Sequence, residues 1–144
     1  GLRFVAETAL FWLALLWFGA VTAPASALMI VIAPLAALAF GAPLMAFAAT
    51  QTDEGTQFAF IQRFVVMPMF LFAGTFFPLG AMPGYLQWIG WISPMWHGTQ
   101  LARIVCFGMP NPAWLTVLHV VVLLVAAVVG TWAAARIFTR RLTR

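Results

Sequence analysis

The two histidines are the first side chains to consider for chemistry in this sequence. Neither His97 nor His119 has a histidine or carboxylate at the i, i+4 spacing that places two metal ligands on one helix face. His119 lies in a strongly apolar run, where a polar side chain is expected to face the protein interior. Two roles stay open for it, a hydrogen bond that joins two helices and a functional role. We expect neither a metal site nor a catalytic residue in this chain.

The acidic pair Asp53-Glu54 is the other candidate for acid–base chemistry. Adjacent residues in a short turn point in different directions, and nothing near them in the sequence indicates a raised pKa. A solvated turn with Gly55 explains the pair, and contact with a cytoplasmic partner is the alternative. The single cysteine, Cys106, excludes a disulfide or a cysteine-based metal site within these residues.

The sequence contains no lysine. A P-loop of the form G-x-x-x-x-G-K-[ST] needs one, so any nucleotide must be bound by another polypeptide. The net charge of +4 does not indicate a nucleic-acid partner, because the basic residues are dispersed apart from the tail "ARIFTRRLTR". We therefore expect no cofactor on this chain.

The composition places most of the chain in lipid. Hydrophobic residues make up 65% of its 144 residues, charged residues 7%, and the mean hydropathy is +1.04. Soluble domains have about a quarter of their residues charged. The chain begins "GLRFVAE" without an initiator methionine or a signal-peptide pattern, so we expect a fragment of a longer protein.

Four apolar segments are long enough to cross a bilayer, which needs about 20 residues in a helix. We predict an all-α integral membrane fold, treated as one domain over residues 1–144. The predicted spans are residues 4–21, 27–50, 58–77 and 113–135.

The segment between the last two spans, residues 78–112, is apolar but rich in proline and glycine. We predict two short helices in it, over residues 85–92 and 95–107, separated by Ser93-Pro94. Irregular backbone is tolerated at membrane depth only where it packs against protein or lines a wet cavity. The segment is therefore predicted to be a re-entrant or interfacial hairpin. Its tryptophans are expected to lie at headgroup level, and the alternative is that they line a substrate exit.

The arginines predict the orientation of the spans. With the C-terminus cytoplasmic, Arg103 alone lies outside, and the others lie inside or at the inner interface, as the positive-inside rule favours. Those others are Arg3, Arg63, Arg136, Arg140, Arg141 and Arg144. The hairpin is then extracytoplasmic, and the turn with Asp53 and Glu54 is cytoplasmic.

Small residues recur at four-residue spacing in two of the spans. Such faces let helix backbones approach closely in lipid, although alanine is abundant enough here to produce them without a role. The predicted packing faces are Ala33, Ala37 and Gly41 in the second span and Ala126, Gly130 and Ala134 in the last.

Three motifs around the hairpin occur in a characteristic order. They are F-x-G-T-F-F-P (Phe72, Gly74 to Pro78), Met82-Pro83, and P-x-x-H-x-x-x-x-x-R (Pro94, His97, Arg103). Together they resemble the C-terminal part of ABC-2 type transporter permeases, near the nodulation-type and daunorubicin-resistance-type exporters. The resemblance covers essentially the whole chain, which would supply the last four of the family's six spans.

The resemblance implies a permease in the bacterial cytoplasmic membrane that works as a dimer, with an identical or homologous second copy. A separate ATPase subunit would bind ATP and Mg and drive export of a hydrophobic or amphipathic substrate. Lipid-linked glycans, glycolipids and drugs are the implied classes, and the hairpin would help to close the outer end of the pathway.

Two other functions stay open from the residues alone. One is a membrane enzyme that acts on lipid-linked substrates at the outer face, with His97 and Arg103 as catalytic or phosphate-binding groups. The other is an assembly subunit with no transport pathway of its own.

Overall fold

A computed structural model describes residues 2–21, 24–50, 56–76 and 79–142 of the chain. Among these residues the regular structure is entirely helical. The α-helices are α1 (Leu2–Trp17), α2 (Met29–Ala48), α3 (Thr56–Ile61), α4 (Met67–Leu71), α5 (Gly84–Ile92), α6 (Pro94–Phe107) and α7 (Ala113–Leu142). Short 3-10 turns cover Pro24–Leu28 and Leu79–Ala81, and a π-helical segment, Gln62–Val66, joins α3 to α4.

Two helical segments of the described chain are long and apolar enough to cross a membrane, namely Pro24–Ala48 and Ala113–Arg140. They correspond to the predicted second and fourth spans. Both have little charge and a strongly apolar composition, so their side chains suit lipid. A helix satisfies most of its backbone hydrogen bonds internally, and in α2 the ladder is interrupted at Pro34 and Pro43.

The other two predicted spans form shorter helices. The first, α1, ends at Trp17, and the chain turns at Gly19, whose φ of 63° is left-handed. The third is an apolar helix over Ala59–Leu71, interrupted by its π-helical segment just before Pro68. It ends earlier than predicted because the chain turns at Gly74, which has a φ of 78°.

The core lies where α2, α6 and α7 meet. Leu123 of α7 is fully buried, and it packs with Ala39, Leu101 and Ala127. Helices α2 and α7 approach closely at Gly130, where an added Cβ would lie 2.8 Å from the backbone nitrogen of Pro43. A small residue at position 130 therefore determines how near the two long helices come.

Helix α6 runs antiparallel to α2. Its C-terminal residues Val105 and Cys106 pack with Met29 at the start of α2. Its N-terminal Pro94 lines one groove with Pro43, 14 positions further along α2. With a helical rise of about 1.5 Å per residue, Pro43 lies about 20 Å along α2 from Met29, and the start of α6 borders the same groove.

Candidate functional site

The turn between α5 and α6 follows directly from the dipeptide Ser93-Pro94. A residue that precedes proline is held in the extended region, and Ser93 has a ψ of 119°. Pro94 then occupies the start of α6, where the missing N–H costs nothing. The two predicted helices are present, starting within a residue of the predicted positions, and the extended backbone of Ser93 separates them.

The two histidines form a direct hydrogen bond between α6 and α7. The Nδ1 atoms of His97 and His119 lie 2.6 Å apart, and each side chain is 99% buried. The Nε2 of His97 lies 2.9 Å from the backbone carbonyl oxygen of Trp91. The pair therefore joins α7 to both helices of the hairpin.

The hydrogen-bond partners fix the tautomers. The carbonyl of Trp91 can only accept, so the proton of neutral His97 is on Nε2 and donates to it. The Nδ1 of His97 is then an acceptor, and His119 Nδ1–H donates to it. Both ring nitrogens of His97 are used by the protein, which leaves neither for acid–base work on a substrate.

Trp96 packs against both histidines. Its ring centroid lies 5.0 Å from that of His97 and 5.1 Å from that of His119, in edge-to-face geometry, and 5.1 Å from that of Trp91. The indole Nε1 of Trp96 and the hydroxyl of Ser93 are buried without a hydrogen-bond partner among the described residues. Most buried polar groups have a partner, so these two atoms mark an unusual place in the fold.

Arg103 and Gly74 complete this cluster. The guanidinium of Arg103 donates from Nη2 to the carbonyl oxygen of Gly74, across 29 positions of sequence. Position 74 favours glycine for two reasons. Its φ of 78° is left-handed, and a Cβ there would lie 3.2 Å from Cδ1 of Trp96. We call Gly74, Trp91, Ser93, Trp96, His97, Arg103 and His119 the hairpin cluster.

The structure brings together several of the residues that the sequence singled out. Gly74, His97 and Arg103 belong to the cluster, and Pro94 starts the helix that carries two of them. Pro83 lies apart from it, at the start of α5, where its carbonyl accepts from the N–H of Leu86 at 2.8 Å.

Three predicted site residues, Pro78, Asp53 and Glu54, lie outside the described residues, so their roles stay predictions. Of the predicted packing faces, Gly130 is buried against Pro43, and Ala126 packs against the core. The remaining members are partly buried or exposed in this chain, namely Ala33, Ala37, Gly41 and Ala134. The buried small residues of α2 are Ala39, Ala42 and Ala46.

Sequence reasoning did not predict that the two histidines contact each other. Two features of the sequence could have indicated this contact: the sequence contains two histidines, and both lie in apolar segments. The sequence predicts Trp96 at headgroup level, yet it is 4% exposed and packs inside the cluster. Trp88 and Tyr85 of α5 are exposed, as a position facing headgroups or lipid requires.

An apolar groove adjoins the turn of the hairpin. It has a volume of about 440 Å³ and lies between α2, the α3–α4 segment and the end of α5. Its walls include Phe40, Phe47, Val65, Met69 and Ile92. No group of three His, Cys, Asp or Glu side chains in the described part of the chain is placed to hold a metal ion. The groove is lined by apolar side chains.

Comparison with known proteins agrees with this geometry. The family model of the ABC-2 type transporter matches residues 1–107. Nodulation protein J of Bradyrhizobium diazoefficiens is 37% identical over 89 residues, which are 60% of this chain and 32% of that protein. The aligned part thus spans about a third of the relative's length, and no solved structure matches the chain. The family match covers most of the chain, including the hairpin with Gly74, His97 and Arg103, and the chain therefore belongs to the ABC-2 type transporter family.

Proposed function

We propose that this chain is the membrane-spanning permease part of an ATP-binding cassette exporter. The observation that carries the proposal is helix α6, which packs against α2 and is hydrogen-bonded to α7 through the histidine pair. A helix held between two candidate spans, with an apolar groove at its N-terminal end, suits a structure that closes a pathway for hydrophobic molecules.

The proposed topology has four spans with the C-terminus in the cytoplasm of a bacterial cell. In this arrangement α1 and the α3–α4 segment cross the membrane with α2 and α7, and the hairpin enters from the outer side. The start of α6 borders the same groove as Pro43, which lies about 20 Å along α2 from Met29, so α6 would begin deep in a hydrocarbon core about 30 Å thick.

A separate ATPase subunit is proposed to supply the energy, a proposal supported by the match to the ABC-2 type transporter family. That subunit would bind ATP and Mg, and a second permease copy or homologue would complete the transporter. The substrate would be hydrophobic or amphipathic, such as a lipid-linked glycan, a glycolipid or a drug. The contacts that occupy both nitrogens of His97 disfavour the alternative of an enzyme at the outer face.

Transport by inverted membrane vesicles tests this function. Vesicles from cells that produce the protein with its ATPase should accumulate a labelled substrate of one of these classes when ATP is added. Vesicles with the P-loop lysine of the ATPase replaced should not. Equal accumulation in both preparations, or in vesicles without this chain, would contradict the proposal.

A further inference from the structure

We propose that an apolar groove on α7 holds one acyl chain of an anionic phospholipid, and that Arg136 binds the phosphate of its headgroup. The groove has a volume of about 510 Å³. Pockets that take small ligands have volumes of about 300–1,000 Å³, so this one is large enough for a single hydrocarbon chain. It shares Pro43, Ile92 and Pro94 with the groove beside the α3–α4 segment but extends along α7 instead.

The groove suits a hydrocarbon chain in both chemistry and length. Helix α7 lines it at seven positions between Val121 and Ala133, and two residues of α2 and two of the α5–α6 turn form the rest of its walls. None of the lining side chains carries a charge or a hydrogen-bonding group. With a rise of about 1.5 Å per residue, the lined stretch of α7 is about 18 Å long, which is close to one leaflet of a hydrocarbon core about 30 Å thick.

Arg136 lies on the side of α7 that forms the groove. Val122 and Val129 line the groove, and Arg136 follows Val129 by seven residues, the spacing that returns to the same helix face. Helical side chains tilt towards the N-terminus, and the guanidinium of Arg136 stacks over Trp132, 4.3 Å from the ring centroid. The charge is therefore held about level with Ala133, the lining residue nearest the C-terminus of α7.

This end of the groove lies where α2 ends. Helices α2 and α7 run parallel, because Ala39 packs with Leu123 and Pro43 with Gly130. Helix α2 ends five residues after Pro43, and Arg136 follows Gly130 by six. Helix α2 and the apolar run of α7 thus end at about the same level. A phospholipid with its chain in the groove would have its phosphate at this level, at the edge of the hydrocarbon core.

The guanidinium of Arg136 is open to a ligand. The side chain is exposed, and stacking on an indole covers one face of the planar group while its N–H donors point outward in the plane. Glu7 carries the one carboxylate in the described part of the chain, and it is paired with Arg3 at 2.8 Å. No described carboxylate therefore neutralises Arg136. Arginine forms strong paired hydrogen bonds to phosphate, which makes an anionic headgroup the one that fits.

A lipid fits this surface better than a helix of a second copy of the chain. The groove is open, since Val125 and Val129 are each 56% exposed. An apolar helix laid along it would also cover Arg136 and offer it no acceptor, which is costly in a membrane. A phospholipid supplies a chain and an anion at the spacing that the surface presents. The exporter function by itself does not require this site.

Native mass spectrometry of the purified protein in detergent tests the site. The probes are dioleoyl phosphatidylglycerol and dioleoyl phosphatidylcholine, which have the same acyl chains but an anionic and a zwitterionic headgroup. We expect the first complex to form at about tenfold lower lipid concentration than the second, because of the charge-assisted hydrogen bonds to Arg136. A phosphatidylglycerol with a diazirine in one acyl chain should label α7 between Val121 and Ala133 after irradiation.

Substitutions of Arg136 test the headgroup contact. Arg136→Gln should weaken phosphatidylglycerol binding about tenfold and bring it to the level of phosphatidylcholine. Arg136→Lys keeps the charge and should retain most of the affinity, which separates loss of the contact from misfolding. Arg3→Gln is the matched control, because Arg3 is an exposed arginine of α1 that pairs with Glu7, and it should leave binding unchanged.

Substitutions of two valines test the groove. Val125→Trp places a large side chain in the groove and should weaken the binding of both lipids several-fold. Val128→Trp is the matched control, because Val128 is 66% exposed but does not line the groove. It should leave the binding of both lipids unchanged. The unfolding temperature of each variant shows that it has folded.

Each outcome decides the proposal. A preference for phosphatidylglycerol that Arg136→Gln removes, with labelling of α7 that Val125→Trp reduces, supports it. Equal binding of the two lipids overturns it, as does an equal loss in Arg3→Gln or in Val128→Trp. Dimers that form without lipid and exclude it also overturn it, because a second copy would then occupy the groove. Binding is measured without ATP or transport, so this proposal and the exporter function can each fail alone.

Discussion

At the scale of single residues, the histidine pair is the contact on which the hairpin depends most. Its hydrogen bonds join α5, α6 and α7 through buried nitrogens, where no water competes. Burying a polar ring is costly unless its nitrogens have partners. The hydrogen bond between the histidines therefore offsets the cost of burying both rings. Removing either histidine is expected to destabilise the fold.

Alanine at either histidine tests this dependence. His119→Ala removes the donor to His97, and we expect a loss of about 1–3 kcal/mol in the free energy of unfolding. The double variant His97→Ala/His119→Ala should lose less than the sum of the single losses, because the groups share one bond. Unfolding in detergent measures this, with Val117→Ala, at an exposed position of α7, as the control. Additive losses would contradict the pairing.

Gly74 provides a second test at this scale. Alanine in its left-handed conformation costs about 1–2 kcal/mol, and the added Cβ would also press on Cδ1 of Trp96 at 3.2 Å. We expect Gly74→Ala to lower the unfolding temperature, whereas Gly84→Ala should not. Gly84 begins α5 and has no atom within 4 Å of the added Cβ. A Gly74→Ala variant as stable as the parent protein would show that the turn is formed differently.

At the scale of elements, the closest helix contact joins α2 and α7. The added Cβ of Gly130→Ala would lie 2.8 Å from the backbone nitrogen of Pro43, so the helices must separate. We expect this overpacking to cost about 1–3 kcal/mol. The added Cβ of Gly41→Ala would have no atom within 4 Å. This substitution should raise the free energy of unfolding by up to about 1 kcal/mol, because alanine has the higher helix propensity.

Unfolding of the two glycine variants, measured side by side in one detergent, separates these expectations. The opposite result would be a loss of stability in Gly41→Ala and unchanged stability in Gly130→Ala. It would mean that α2 packs against α7 through its other face. That face contains Ala33, Ala37 and Gly41, the packing face that the sequence predicts.

The elements also show which features could be read from the sequence. Ser93-Pro94 predicted the break between α5 and α6 because proline restricts its predecessor through local sterics. The two longest helices were predictable from long, strongly apolar runs, although α7 continues to Leu142, past the predicted end at residue 135. The His97–His119 contact could not be predicted, because it depends on how α6 and α7 are aligned in space. The early end of α4 was missed because a glycine in a left-handed turn looks, in sequence, like a glycine in a helix.

At the scale of the whole molecule, orientation is the first property to establish. The positive-inside rule predicts a cytoplasmic C-terminus and an outer hairpin. A fluorescent protein fused after Arg144 should therefore be fluorescent, and alkaline phosphatase fused there should be inactive. Alkaline phosphatase fused after Ala81, between α4 and α5, should be active. The reverse pattern would place the hairpin in the cytoplasm and remove its proposed role at the outer end of the pathway.

The central claim is that this chain is the membrane part of a transporter whose ATPase is a separate polypeptide. Affinity purification of the tagged protein from its native membranes, followed by measurement of ATP hydrolysis and identification of the subunits, tests it most directly. We expect a chain with a P-loop in stoichiometric amount, and hydrolysis that is lost when the P-loop lysine of that chain is replaced. A stable and monodisperse membrane complex with no nucleotide-binding subunit would contradict the account.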